Sequence, residues 1–149
     1  MARIFITGST DGLGRAAAQS LLASGHEVVL HARSPGRAAA LDDIAHLAAG
    51  VVIGDLAGVP DTRGIADQVN AIGRTDAVIH NAGIYNAPSR GGIPQNHAAT
   101  LAVNVLAPYV LTALIASAPA RLCQQRSASQ LRRAAPGHGL DGAPMGSGA

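Results

Sequence analysis

The 149-residue chain contains no lysine, no tryptophan and a single cysteine, and charged residues make up only 13% of it. A lone cysteine, Cys123, excludes an internal disulfide framework and a cysteine-based zinc site. All 11 residues of the lysine and arginine class are arginines, and they are scattered along the chain. The formal net charge of +2 is therefore typical of a solvated surface, and we expect no nucleic-acid partner.

Metal binding and membrane insertion are also disfavoured by spacing. The six histidines show no H-x-x-x-H pair or comparable ligand spacing, so we expect no metal site. The apolar stretch 101–118 is nearly long enough to span a membrane, but Asn104 and Pro108 interrupt it, which favours a buried helix. The apolar run near Met1 is too short for a signal peptide. With one cysteine, these features predict a cytoplasmic protein without a membrane partner.

Aromatic residues make up 2% of the sequence, so the core must be built from alanine, leucine, valine and isoleucine. Short apolar runs alternate with segments of helical spacing, which predicts a Rossmann-type, doubly wound parallel sheet in three α/β/α layers. The predicted strands are residues 2–7, 28–30, 51–53 and 77–80, and the predicted helices are residues 13–24, 35–48, 60–72 and 96–116.

The alternation stops after residue 119. A fifth strand is due there, but no apolar run follows Leu122 to form one. We therefore predict one domain over residues 1–122, with an incomplete sheet of about four strands. Residues 123–149 are expected to form a disordered or non-native tail, because they are polar at first and then rich in Gly, Ala and Pro.

Three glycines, Gly8, Gly12 and Gly14, stand between the first predicted strand and the first predicted helix. A pyrophosphate must approach the backbone closely at such a turn, and side chains there would block it. The helix that begins at Leu13 offers free N–H groups and the positive end of its dipole to the anion. This placement favours a dinucleotide site over an ordinary glycine turn.

The segment 7–14, Thr-Gly-Ser-Thr-Asp-Gly-Leu-Gly, resembles the glycine motif of the short-chain dehydrogenase/reductase family. Three more family motifs follow in order, namely Asp55-Leu56, Asn81-Ala82-Gly83 and Asn104, so the resemblance covers residues 2–122. It implies that the cofactor is bound by Thr7, Gly8, Ser9, Gly12, Leu13, Gly14, Asp55, Leu56, Asn81, Ala82 and Gly83.

The resemblance also implies individual roles for three of these residues. The Asp55 carboxylate would accept from the adenine amino group, Asn81 would line the cofactor site, and the Asn104 backbone carbonyl would hold a water of the proton relay. Each has a structural alternative. Asp55 could cap the following helix, Asn81 could hold the strand–loop junction without touching cofactor, and Asn104 could be a satisfied buried amide.

The end of the second strand indicates which cofactor is preferred. An acidic residue there would accept from the ribose 2′-OH of NAD, whereas this chain has Arg33 and Ser34 after His31-Ala32. Arg33 can pair with a 2′-phosphate and Ser34 can donate to it, so NADP is favoured over NAD. Asp11 argues mildly for NAD, and Arg33 could be a solvated loop charge.

The family's proton-transfer residues are missing. Family members use a serine and a Tyr-x-x-x-Lys pair, and a chain without lysine cannot contain that pair. Tyr85 and Tyr109 are expected to be loop or packing residues, and the surroundings of Ser127 are too polar for the family's strand serine. Asn104 is therefore the one catalytic position that the resemblance retains.

By resemblance, the parent function is reversible hydride transfer between NADP(H) and a small carbonyl or alcohol substrate. We expect this chain to bind the cofactor without turnover. The alternative is a non-catalytic NADP(H)-binding module that senses redox state or partners a complete paralogue. The break after residue 122 could reflect a frameshift or a genuine short form. The tail rich in arginine, alanine and glycine favours the frameshift. Family members form homo-oligomers, which is doubtful here because the second interface helix is not recognised.

Overall fold

The computed structural model describes residues 1–84 and 99–116, together with a short strand at 123–124. Its sheet is parallel and has the order β3-β2-β1-β4-β5. The strands are β1 (Arg3–Ile6), β2 (Glu27–Ala32), β3 (Gly50–Ile53), β4 (Ala77–His80) and β5 (Cys123–Gln124). The predicted Rossmann-type, doubly wound sheet is thereby confirmed.

The four longer strands lie where the sequence predicted them, within three residues at each end. The expectation that no strand follows Leu122 is wrong at two positions, because β5 pairs in parallel with β4, with Cys123 beside Ile79. Strand pairing over two residues needs only backbone hydrogen-bonding groups, so this strand can form without an apolar run. The sequence prediction relied on such a run and therefore missed the strand.

Helices cover both faces of this sheet. They are α1 (Gly12–Ala23), α2 (Pro35–Ala38), α3 (Asp42–Ala45), α4 (Val59–Ile72), α5 (Ala99–Leu101) and α6 (Ala107–Leu114). The single helix predicted at 35–48 is instead α2, a 3₁₀ turn (Ala39–Leu41) and α3. Leu41 and Ile44 of this segment are both buried in the core.

A π-helical turn, Ala102–Leu106, joins α5 to α6, so the helical run is continuous from 99 to 114. Pro108 is the second residue of α6 and has no N–H to donate. In a regular α-helix that N–H would donate to the Asn104 carbonyl. The sequence therefore removes the ordinary helical donor of this carbonyl.

Alternate strand residues build two separate cores, as expected for a sheet buried on both faces. Phe5 and Val29 point to one face and pack with Val69 of α4 and Leu111 of α6. On the opposite face, the core comprises Ile4, Ile6, Ala18, Val28, Leu30, Ala32, Leu41 and Ile44. These two clusters are the interfaces of the three predicted layers.

Several sequence-based predictions fall on residues outside the described part of the chain. These are Tyr85, Ser127, the first residues of the helix predicted at 96–116, and the tail from residue 125 onward. Among the described residues, no helix combines the length and apolar character needed to cross a membrane.

Candidate nucleotide-binding site

Strand order places the candidate site at the carboxyl ends of β1 and β4. β1 pairs with β2 on one side and with β4 on the other, so the direction of winding reverses between β1 and β4. Ligands of open α/β sheets bind in the crevice at such a reversal. The glycine loop, residues 7–14, follows β1, and the Asn81-Ala82-Gly83 segment follows β4.

The three glycines of this loop are needed for two different reasons. Gly8 and Gly12 have φ angles of +67° and +53°, a backbone region that glycine adopts at little cost. Gly14 lies in α1, where a Cβ would overlap the Gly8 carbonyl oxygen and the Asn81 side-chain nitrogen. The first two shape the turn, and the third lets α1 approach the end of β4.

Asn81 and Thr7 lock the glycine loop to the end of β4. Asn81 Nδ2 donates to the Thr7 carbonyl at 3.1 Å and to the Gly8 carbonyl at 3.0 Å. In return, the buried Thr7 hydroxyl accepts from the backbone N–H groups of Asn81 and Ala82, each at 3.0 Å. The Asn81 side chain therefore holds the strand–loop junction, and contact of Asn81 with a cofactor remains a prediction.

His31 and Ser9 form a second set of contacts beneath the loop, and both are buried. The Gly8 N–H donates to His31 Nδ1 at 3.0 Å, and His31 Nε2 bonds the Gly54 carbonyl at 3.0 Å. The Ser9 hydroxyl donates to the Ile6 carbonyl at 2.7 Å and accepts from the His31 backbone N–H at 3.0 Å. Ser9 thus serves the loop internally through its side chain.

Sequence reasoning did not assign a role to His31. The available signal was a polar, titratable residue within an otherwise apolar strand, because buried polar groups need partners. Burial lowers the pKa of His31 below its ordinary value, although the bond to Gly54 and the charge of Asp55 oppose the shift. Burial likewise lowers the pKa of His80, whose Nε2 lies 3.1 Å from Thr112 Oγ1.

The start of α1 faces the crevice without a side-chain cap. Asp11 is its N-cap residue, but its side chain makes no capping hydrogen bond. Its carboxylate lies 2.5 Å from Arg37 Nη2 instead. The first-turn N–H groups, at Gly12, Leu13 and Gly14, have no intrahelical acceptors and so remain available to an anion.

Asp55 and Leu56 lie in the turn between β3 and α4. Asp55 Oδ1 accepts from the Ala57 N–H at 2.9 Å, while the N-cap of α4 is Gly58. Through this oxygen Asp55 stabilises a local turn, and its contact with an adenine remains a prediction. Leu56 is buried in the core beneath this turn.

Asn104 lies in the π-helical turn and bonds the backbone of Ile84 through both side-chain atoms. Its Oδ1 accepts from the Ile84 N–H at 2.9 Å, and its Nδ2 donates to the Ile84 carbonyl at 2.8 Å. The side chain is thus a satisfied amide that holds the residue following Gly83. The predicted role of the Asn104 carbonyl concerns a different group of the same residue.

Arg33 and Ser34 follow β2 at the same edge of the sheet. Arg33 is exposed, and no ion pair involves it within the described ranges. Ser34 is the N-cap residue of α2, and its side chain makes no capping bond. Their contact with the ribose of a cofactor remains a prediction.

The expectation for Tyr109 is corrected, because this residue lies neither in a loop nor packed in the core. Tyr109 is 74% exposed on α6. Within residues 1–84 and 99–116, no three His, Cys, Asp or Glu side chains are grouped so that they could hold a metal ion.

Comparison with known proteins gives consistent matches. The family model for short chain dehydrogenase matches residues 2–128. An uncharacterized oxidoreductase of Emericella nidulans is 47% identical over 131 residues, which cover 87% of this chain and 51% of the relative. The chain spans about half the length of the curated relatives it matches.

Solved structures share the fold. A 3-oxoacyl (acyl-carrier-protein) reductase from Agrobacterium tumefaciens, with NADP bound, is 27% identical with a TM-score of 0.70, covering 88% of this chain and 54% of that one. A blue fluorescent protein from a metagenomic library, in complex with NADPH, has a TM-score of 0.72 at 23% identity, covering 90% and 59%.

The close approach of α1 to β4 predicts the effect of Gly14→Ala. The added methyl group meets a backbone carbonyl and the Asn81 amide, neither of which can move freely, so we expect a loss of about 1–3 kcal/mol in unfolding free energy. Gly64→Ala is the matched control. It adds the same methyl in α4 where no atom lies within 4 Å, and should stabilise by up to about 1 kcal/mol. Urea denaturation measures both, and equal effects would contradict the assignment.

Burial of His31 and His80 predicts that stability rises with pH in the weakly acidic range. Their pKa values are lowered in the native state, so between those values and the ordinary value of about 6.5 the unfolded chain binds more protons. The unfolding free energy should therefore fall as the pH is reduced from 7.5 to 5. Urea midpoints measured across this range test the slope. Replacing both residues with glutamine should flatten it, whereas His46→Gln, at an exposed position, should not.

Proposed function

The chain belongs to the short-chain dehydrogenase family, and from this premise we propose that it binds NADP(H) at the carboxyl ends of β1 and β4. The uncapped start of α1 behind the glycine loop is the observation that carries the proposal. Free N–H groups and a helix dipole attract a pyrophosphate, and at Gly12, where an added Cβ would meet no atom within 4 Å, the backbone is open to it. The NADP-bound Agrobacterium relative supports the same cofactor.

The glycine-loop residues divide the work of binding. Gly12, Leu13 and Gly14 donate backbone N–H groups to the pyrophosphate, which helix termini are suited to hold. Thr7 and Ser9 act from below, because their buried hydroxyls fix the loop rather than face a ligand. The anion is therefore held by backbone, and the side chains set the backbone's position.

The Asn81-Ala82-Gly83 segment and the β3–α4 turn complete the proposed cofactor site. Asn81 clamps the loop, while Ala82 and Gly83 line the crevice beside it. Asp55 accepts from the adenine amino group, since a carboxylate accepts several hydrogen bonds at once. Leu56 supports the turn that presents Asp55.

Arg33 and Ser34 select NADP over NAD in this proposal. Arg33 is exposed at the end of β2, and its guanidinium matches a phosphate monoester in charge and geometry. Ser34 adds a hydroxyl donor beside it. No carboxylate follows β2 to accept from the ribose 2′-OH of NAD, so NAD is the weaker ligand.

For the whole protein we propose reversible hydride transfer with a small carbonyl or alcohol substrate. NADP(H), when bound, supplies or accepts the hydride. The Asn104 carbonyl accepts a hydrogen bond from a relay water. In a regular α-helix the N–H of residue 108 would donate to this carbonyl, but Pro108 has no N–H. The 149-residue chain has no lysine to lower a tyrosine pKa, which supports cofactor binding without turnover. The second candidate function is therefore a non-catalytic NADP(H)-binding module, and the absence of lysine is the observation that favours it.

Exchanging Arg33 for Asp tests cofactor choice. The exchange replaces an attractive charge with a repulsive one beside the 2′-phosphate, so NADPH affinity should fall about tenfold to a hundredfold, while NADH affinity changes little. Isothermal titration of both cofactors measures this. Arg74→Asp makes the same charge change at an exposed position just before β4, at the opposite edge of the sheet, and should leave both affinities within about threefold. Equal losses for the two cofactors in Arg33→Asp would contradict the assignment.

A turnover assay separates the two proposed functions. The chain is incubated with NADPH and a panel of aldehydes and ketones, and absorbance at the nicotinamide band is followed. We expect binding in the titration without NADPH oxidation above the protein-free blank. Oxidation that depends on both substrate and chain would instead identify the chain as a competent reductase.

A further inference from the structure

We propose that His31 is a positioning residue that sets the phosphate-binding glycine loop, and that it does so as a single neutral tautomer. The inference rests on the proposed cofactor site and adds a residue that none of the family motifs contains. Its basis is the pair of backbone groups that the two ring nitrogens contact.

The two contacts leave one protonation state for the ring. The Gly54 carbonyl can only accept, so His31 Nε2, 3.0 Å away, must carry the hydrogen. The Gly8 N–H can only donate, so His31 Nδ1, also at 3.0 Å, must be bare. The ring is 3% exposed, and Phe5 packs edge-on against it at 6.4 Å between centroids. Water therefore has little access to replace either bond.

These contacts clamp one peptide unit of the loop from both ends. The N–H of the Thr7–Gly8 peptide is held by His31, and its carbonyl is held by Asn81 Nδ2 at 3.1 Å. A peptide is planar, so fixing both groups fixes the direction in which the loop leaves β1. Gly8 then enters the turn at φ +67° in a defined orientation.

The same ring also joins the two halves of the proposed cofactor edge. Gly8 belongs to the pyrophosphate-binding loop, and Gly54 directly precedes Asp55, the proposed adenine contact. The remaining contacts use the His31 backbone, whose N–H donates to the Ser9 hydroxyl at 3.0 Å and whose carbonyl accepts from the Ser9 N–H at 3.2 Å. His31 thereby sets the spacing between the pyrophosphate-binding and adenine-binding segments.

Protonation of His31 should undo this arrangement. A proton on Nδ1 would face the Gly8 N–H, so the bond is lost and the two donors repel. β1 and the glycine loop present uncharged groups to the ring, namely Phe5, Gly8 and Ser9, while Asp55 of the β3–α4 turn is the ionisable group whose charge acts on it. Dinucleotide affinity should therefore be full at neutral pH and fall as acid protonates the ring.

Two amide replacements separate the roles of the two nitrogens. Asparagine places an acceptor near the position of Nδ1, whereas glutamine reaches the position of Nε2. We expect His31→Asn to bind NAD⁺ within about threefold of the unmodified chain and His31→Gln to bind about tenfold more weakly. His26→Asn is the control. His26 Nδ1 accepts from the Ala2 N–H at 3.2 Å, the same kind of bond at the other end of the sheet. This change should leave affinity unaltered.

The titrations use the 149-residue chain and NAD⁺ as the probe, from pH 7.5 to pH 5. A 2′-phosphate would itself titrate near pH 6, and NAD⁺ lacks one. Affinity of the unmodified chain should decline with falling pH, and that of His31→Asn should stay level. Thermal denaturation with each titration confirms that every variant is folded.

Nuclear magnetic resonance gives a readout independent of the cofactor. Side-chain ¹⁵N shifts should show His31 protonated at Nε2, and exchange of the Gly8 amide should be faster in His31→Gln than in His31→Asn. Equal binding losses in both variants, or a proton on Nδ1 at pH 7.5, would overturn the role of His31 alone. A folded, unmodified chain that binds neither NAD⁺ nor NADPH would overturn the cofactor site and this role together.

Discussion

The close packing of α1 against the end of β4 is the constraint on which the site depends. Gly14 has no side chain, so the Asn81 amide can lie against the helix and reach the Thr7 and Gly8 carbonyls. Without that approach the two loop carbonyls would lose their Asn81 donor at the edge of a buried sheet, where unpaired polar groups are costly. The glycine loop is thus built together with β4, although more than 60 residues separate them.

A division of labour between side chains and backbone follows from this packing. Four polar side chains hold the loop in place through hydrogen bonds, namely those of Thr7, Ser9, His31 and Asn81. The groups left for a ligand are backbone N–H groups at the start of α1, and Asp11, which could have capped them, pairs with Arg37. Preorganised donors of this kind suit an anion, because little ordering remains to be done on binding.

Much of the site was accessible from sequence because its motifs report local geometry. A glycine run between a strand and a helix fixes a turn, and parallel strands bring the segments after β1 and β4 to one edge. The same reasoning missed the break of the predicted 35–48 helix and the two-residue β5, since neither leaves a pattern in apolar spacing. It also left alternatives open for Asp55 and Asn104, whose side chains bond the backbone of Ala57 and Ile84.

The sequence by itself determined the layer order, the family and the position of the glycine turn that follows β1, because hydrophobic periodicity and glycine placement are local properties. Tertiary structure alone decided which polar side chains support that turn. His31 sits in β2, Asn81 after β4 and Gly54 after β3, and their meeting depends on the strand order and register of the sheet. Partners so distant in sequence have no spacing rule, so their hydrogen bonds became visible only once the chain was folded.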